Sequence, residues 1–350
     1  MTVIDADAHV LETADTWSYM SAAETARFLP MIVTQSFGNR NLNLEGRTHQ
    51  EFWVIDKRIH NKDRNVGSNT PEESREMRDV AARVAHMDEL GVDVQVLYPT
   101  LLLRPVARQW ELEYALCRSY NRWLADIWAQ APDRLRWAAA APLLNMDLVE
   151  AELAWAKDHG ACGVFLRGLE CELPLSDPYF HRLYAIAQDL DLAVCIHLGN
   201  GSFTAHDFFE RDSTFTKFKL AIVGAFHSLV LTGTPGKFPN LRWGFIEAGA
   251  DWVPFVLHDL RQRMHRTGKR LPDHPLRAMN LFVACQVNDD LGQVLAESGE
   301  DHIVLGTDYG HSDFSSELHA PEVLRRTLTA DPAIVDKILG DNARVLYGLD

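Results

Sequence analysis

The sequence predicts an α/β protein, a (β/α)8 barrel with an insertion after its first strand. Three observations carry that prediction. Eight short apolar runs rich in β-branched residues are spread over the chain, longer helix-periodic segments alternate with them, and no Gly-rich turn follows the first run. The last point leaves an open dinucleotide-binding sheet without support. At 350 residues, 47% of them hydrophobic, the chain can bury a large core, and one barrel domain over 1–350 is expected.

The strand runs, in order, are TVIDADAHV, VDVQVLYPT, LRWAAAAPL, ACGVFLRG, LAVCIHLGN, LRWGFIEAG, NLFVACQVN and HIVLGTDYG. Between them, WELEYALCRSYNRWLADIWAQA, DLVEAELAWAKDHG, PYFHRLYAIAQDL, TKFKLAIVGAFHSLVLTG and LGQVLAESG have helical periodicity, and several end at Gly, as a helix stop should. The stretch 15–85 is the exception. It is polar and irregular, NLNLEGRTHQEFWVIDKRI within it reads as a small hairpin, and an insertion leaving the first strand there would cover the barrel mouth as a lid.

Composition removes several function classes. The formal charge is −15 and the basic residues form no blocks, so neither nucleic acid nor an anionic membrane is an expected partner. The start MTVIDADAHV has no basic segment followed by an apolar one, and no window holds about 18 consecutive apolar residues, so a soluble, cytoplasmic protein is expected. Five cysteines without a C-x-x-C pair read as reduced structural thiols. The nine Trp residues read mainly as packing. A homo-oligomer, most simply a symmetric dimer, is expected of a barrel this size.

The chemistry gathers at strand ends. Side chains alternate along a strand, so Asp5, Asp7 and His9 share one face of the first run, towards its C-terminal end, where barrels build active sites. His197 ends the fifth apolar run, Glu247 follows the sixth and Asp308 the eighth. Each alone reads as a cap or a core residue. Together they form the mixed nitrogen and oxygen set that a divalent transition metal takes. His206, in the loop after the fifth run, lies on the side that reaches such a metal but reads more readily as a solvated loop residue, and His227 reads as helix core or surface. Arg104 and Arg167, after the second and fourth runs, suit a substrate carboxylate or the neutralising of an acidic rim. Trp53 and Arg58, in the hairpin, suit an apolar wall and an anion clamp. His311 and Asp313 stand close enough to Asp308 in sequence to orient it.

The segments IDADAHVLE, HMDELGVDVQVLYPT, YNRWLADIWAQAPDRLRWAAAAPL, GVFLRG, GKFPNLRWGFIEAGADWVPF, GTDYGHSD and KILGDNARVLYGL span most of the chain. Together they resemble the second amidohydrolase family, which includes the aminocarboxymuconate-semialdehyde decarboxylase and resorcylate decarboxylase groups. The resemblance implies a metal-dependent (β/α)8 barrel with an H-x-H or E-x-H pair on strand one, a His on strand five and an Asp on strand eight as ligands. Carried over, these are Asp7, His9, His197 and Asp308. Asp7 stands where many relatives have His or Glu, which makes the site harder and more anionic, so Mn or Fe fits as well as Zn. Decarboxylating relatives carry an acid–base His after strand six, where this chain has Glu247.

The expectation is therefore a metal-dependent enzyme acting on a small molecule. It would hydrolyse, or cleave without oxidation at a C–C bond by decarboxylation, a small carboxylated compound, with Asp308 and Glu247 as the acid–base groups. The alternative is a dinuclear Fe or Mn oxygenase using O2, with Glu247, alone or with His206, completing a second metal position. A degenerate, ligand-binding barrel ranks last, since the ligand set is complete.

Overall fold

A computed structural model describes residues 2–36, 49–62, 65–209, 214–312, 314–328 and 331–349. All eight predicted runs are strands: β1 Ile4–Val10, β2 Val94–Pro99, β3 Leu135–Ala140, β4 Ala161–Arg167, β5 Ala193–His197, β6 Trp243–Ile246, β7 Leu281–Cys285 and β8 Ile303–Leu305. They are parallel and lie side by side in chain order. The ring closes just past β8, where Ala8 bridges Tyr309 in parallel and His9 N donates to Tyr309 O at 2.7 Å. The protein is an α/β barrel, with its strands almost wholly buried beneath surrounding helices.

The helices follow their apolar periodicity. Trp110–Trp128 buries Leu112, Leu116, Tyr120 and Leu124, and its Asn121 side chain pairs with both the N–H and the C=O of Ala140, locking the helix onto β3. The apolar run Phe215–Thr232 has the length and composition of a membrane span, but it packs as a barrel helix, with Phe226 edge-on to Phe245 and Trp252. On that helix His227 faces Asp259 at 2.9 Å, part exposed, as a surface residue does. All five cysteines are free thiols.

β1 departs from simple alternation. A bulge between Asp5 and Ala8 shifts the register, so that Asp5 pairs with Gln95 and His9 with Tyr98. Partners three residues apart face opposite ways, so Asp5 and His9 do not share a face as the pattern predicts. Asp5 turns towards Gln95, whose amide donates to it at 2.9 Å and accepts from Arg83 of helix Val80–Leu90 at 2.7 Å.

Between β1 and β2 lie the helix Ala22–Phe28, the strands Met31–Ser36, His49–Ile55 and Arg58–Asn61, and the helix Val80–Leu90. The three strands form an antiparallel sheet. Its tight turn holds Asp56 and Lys57 at φ 48° and 64°, the left-handed pair that a two-residue hairpin needs. The first half of the predicted hairpin, 41–48, lies outside the described residues. Val80–Leu90 ends at a left-handed Gly91 and leads into β2, so it is the barrel's own first helix, and it runs across the boundary expected at 85.

Candidate metal centre and active site

Four strand ends deliver the candidate ligands to one place. Asp7 and His9 come from β1, His197 ends β5, Glu247 follows β6 and Asp308 comes shortly after β8. All are buried. Ligating atoms of Asp7, His9, His197 and Glu247 converge within 4.8 Å of one another, and a second, overlapping group joins His9 with Asp308 and His311. From His9 Nε2, Asp7 Oδ1 and Asp308 Oδ1 lie at 3.5 Å and Glu247 Oε2 at 3.7 Å. His197 Nε2 is 3.1 Å from Asp7 Oδ1.

The hydrogen bonds around the rings say what these atoms await. His9 Nδ1 lies 3.0 Å from Pro99 O, which can only accept, so that nitrogen carries the proton and Nε2 presents its lone pair to the cluster. Burial, then the neighbouring His311 and His197, hold the His9 imidazole well below its usual pKa, which keeps it neutral. Nε2 is buried with no hydrogen-bond partner among the described residues. His197 Nδ1 lies 3.1 Å from Leu198 O and 3.2 Å from Glu247 Oε2, and its Nε2 is hydrogen-bonded to Asp7 Oδ1 at 3.1 Å. The His9 Nε2 lone pair meeting carboxylate oxygens at 3.5–3.7 Å is repelled unless a positive charge lies between them. The donor set, two imidazoles among carboxylates, fits a divalent transition ion.

Glu247 and Asp308 sit at φ 68° and 53°, a conformation uncommon for non-Gly residues and concentrated at functional sites. Around them is a layer of hydrogen bonds. Thr100 Oγ1 donates to Val10 O at 2.8 Å, so towards His311 Nε2, 3.1 Å away, it must accept. That leaves a proton to be shared between His311 Nδ1 and Asp308 Oδ1 at 2.7 Å. Ser315 Oγ reaches both carboxylates, 2.9 Å from Asp308 and 3.1 Å from Glu247. Asp5, raised to about 6 mainly by burial, accepts from Thr307 N and Oγ1 and so anchors the residue before Asp308. Glu12, pushed to about 7 by burial, accepts from the N–H groups of Thr100 and Leu101. A Cβ on Gly306 would lie 2.3 Å from the Asp7 Cβ, so only Gly permits Asp7 its place.

The remaining predicted residues scatter. Arg104 donates to Asn61 O at 3.4 Å and, with Lys219, lines a pocket of about 330 Å³ whose wall includes Glu247, His311 and Ser315. Arg167 is committed elsewhere: it grips Glu170 with Nε and Nη2 and donates from Nη1 to the carbonyls of Leu102 and Arg104. Trp53 is buried against Trp17, with ring centroids 5.9 Å apart, so it is core and not a pocket wall. Arg58 pairs with Asp207 on the helix Phe203–Phe208, tying the three-stranded sheet to the loop after β5. His206, on the same helix, lies 3.5 Å from Asp207 and beside Phe218; burial is the main force holding it down at about 4, and it joins no ligand cluster among the described residues. Of the two groups named for a second metal position, Glu247 lies in the cluster and His206 does not, among the described residues. Asp313 lies outside the described residues. Ser315 and Thr100 carried no signal in the sequence, because a hydroxyl in a loop is ordinary until the fold sets carboxylates or a His beside it.

The family model for amidohydrolases matches residues 4–349. The chain belongs to the amidohydrolase family. Members are metal-dependent, in keeping with the buried His and carboxylate cluster of this amidohydrolase. Among solved structures it is similar to an amidohydrolase from Mycobacterium avium subsp. paratuberculosis K-10, at 19% identity and TM-score 0.78, over 100% of this chain and 98% of that one. It is similar also to 5-carboxyvanillate decarboxylase from Sphingomonas paucimobilis, at 20% identity and TM-score 0.64, over 81% and 88%. A third is a dihydroxybenzoic acid decarboxylase from Polaromonas sp. JS666 with bound manganese and 2-nitroresorcinol, at 20% identity and TM-score 0.66, over 99% and 97%. At these identities the likeness is one of fold. No curated protein matches the chain.

Proposed function

We propose that this amidohydrolase removes CO2, without oxidation, from a small carboxylated compound, using a divalent ion held by Asp7, His9, His197 and Asp308. The observation that carries the reading is His9 Nε2, a buried lone pair that makes no hydrogen bond among the described residues and faces three carboxylate oxygens. When bound, the ion supplies a Lewis acid that polarises a substrate oxygen. Mn is favoured over Zn and Fe, since the ligands are rich in hard oxygen and the Polaromonas relative holds manganese.

The chain's own residues do the rest. Arg104 and Lys219 supply cationic groups to the pocket beside Glu247, suited to a carboxylate. Phe218 and Phe314 add apolar surface to that pocket. The proton shared between His311 Nδ1 and Asp308 Oδ1 is available to replace CO2 on that carbon, while Ser315 holds Asp308 and Glu247 in place. Glu247, which shares the Ser315 hydroxyl with Asp308, accepts or returns a proton beside it. Atoms balance: the C–CO2 bond breaks, its electron pair takes the proton, and CO2 leaves.

The second reading is hydrolysis, which the same groups support by activating water against a carbonyl. The oxygenase alternative has no support from the family or its relatives, and His206 lies apart from the cluster. The test is to supply Mn, Zn or Fe to the purified chain and screen carboxylated aromatic and enoic acids. CO2 release without O2 uptake supports the proposal, incorporation of ¹⁸O from water into a cleaved acid selects hydrolysis, and substrate-dependent O2 uptake overturns both.

A further inference from the structure

Phe165 has a second neighbour besides the metal cluster. Its ring centroid is 5.9 Å from that of His197, and it also lines a cleft of about 180 Å³. None of Asp7, His9, His197, Glu247 and Asp308 lines that cleft, so it is a separate space with Phe165 as the shared partition. Its walls are mainly apolar, with Leu102, Val106, Leu116 and Leu143 facing the aromatic rings of Phe165 and Phe203. An apolar cavity of roughly 150 Å³ accommodates a benzene ring.

Most charges bordering the cleft are already matched. Glu170 is held by Arg167, and Glu172 accepts from Ser202 Oγ and from the N–H of Phe203. Arg108 is different. It is exposed, stacks 3.9 Å over the Phe203 ring, and makes no hydrogen bond or ion pair among the described residues. Glu113 accepts from Leu144 N at 2.6 Å through Oε2, while Oε1 makes no hydrogen bond among the described residues. Burial, with Glu170 as a nearby like charge, pushes Glu113 to about 8, so near neutral pH it is mostly an uncharged acid and does not repel an anion.

We propose that this cleft is a second binding site, for a single-ring aromatic carboxylate, with the ring packed against Phe165 and Leu116 and the carboxylate paired with Arg108. The apolar volume selects the ring, and the unmatched guanidinium at the rim selects the anion. The site is independent of the reaction assigned to the metal cluster.

Benzoate is the probe, titrated into the metal-loaded chain and followed by calorimetry and saturation-transfer NMR, with benzyl alcohol as the uncharged control. Arg108→Gln should weaken benzoate binding at least tenfold and leave benzyl alcohol unchanged. Ala141→Leu, which fills the cleft, should abolish binding of both. His197→Ala, which disables the metal cluster, should leave this binding in place. Benzoate affinity unchanged in Arg108→Gln overturns the proposal even if Ala141→Leu fails to fold. Binding lost only in His197→Ala also overturns it, placing the probe at the metal cluster and leaving that cluster's reading intact. Absence of binding up to roughly 10 mM benzoate is equally decisive.

Discussion

His197 and Arg167 are register partners on adjacent strands, and they meet opposite fates. His197 points Nε2 at the Asp7 carboxylate in a cluster where His9 Nε2 has no hydrogen-bond partner among the described residues. Arg167 spends its guanidinium on Glu170 and two backbone carbonyls. Both are polar, both stand at the mouth end of their strands, and the sequence offers no way to rank them. The difference is satisfaction. A buried polar group that its neighbours fully satisfy belongs to the architecture, while one left facing like charge or lone pairs marks where something else must bind.

That contrast can be broken first at His197. His197→Ala should fold yet lose its metal, and turnover should fall by more than the roughly 10–100-fold in affinity that removing an outer partner of a ligand costs. Metal content by plasma emission spectrometry checks this, and full occupancy in the variant would make His197 structural. Glu247→Gln should keep at least one metal while turnover falls on the order of 10²–10⁴-fold, as for loss of a general acid–base group. Unchanged turnover would remove Glu247 from the chemistry.

Arg167→Met should do the reverse. It leaves Glu170 buried without its cation, which should cost about 3–5 kcal/mol in urea unfolding, with metal content unchanged. Metal loss there would mean that the two sides of the mouth are one unit. A smaller effect should appear at Glu113, whose folded pKa of about 8 is raised from 4.5. A raised pKa contributes stability that is present below about 4.5 and is lost as pH rises through about 8, because the unfolded carboxyl has already ionised. The wild type should therefore lose stability relative to Glu113→Gln between those pH values, and parallel urea midpoints across the range would contradict this.

The smallest effect is expected at Arg58. Its partly exposed pair with Asp207 should be worth less than about 1 kcal/mol, so Arg58→Ala should barely change stability or metal content. If the segment between β1 and Val80–Leu90 acts as a lid, as we propose, the variant should still raise KM. An unchanged KM would leave that segment for another role, such as contact with a second subunit.

The strands, the helices and the places where chemistry gathers were legible because they depend on neighbours in sequence. Apolar β-branched runs make parallel strands, and a barrel puts their C-terminal ends on one rim, so His9, His197, Glu247 and Asp308 could be read together. What those groups touch was not legible. The bulge in β1 turned Asp5 from the face it was expected to share, since alternation holds only while each residue opposes one partner. Trp53 went to the core because Trp17 packs beside it, and His206 fell away from the cluster on a helix of its own. His311, Thr100 and Ser315 acquired their roles from hydrogen bonds to atoms many residues distant. Strand formation is governed by short-range periodicity that the order of residues displays directly, whereas the pairing of a buried polar atom depends on which distant atoms the closed barrel brings within about 3 Å of it.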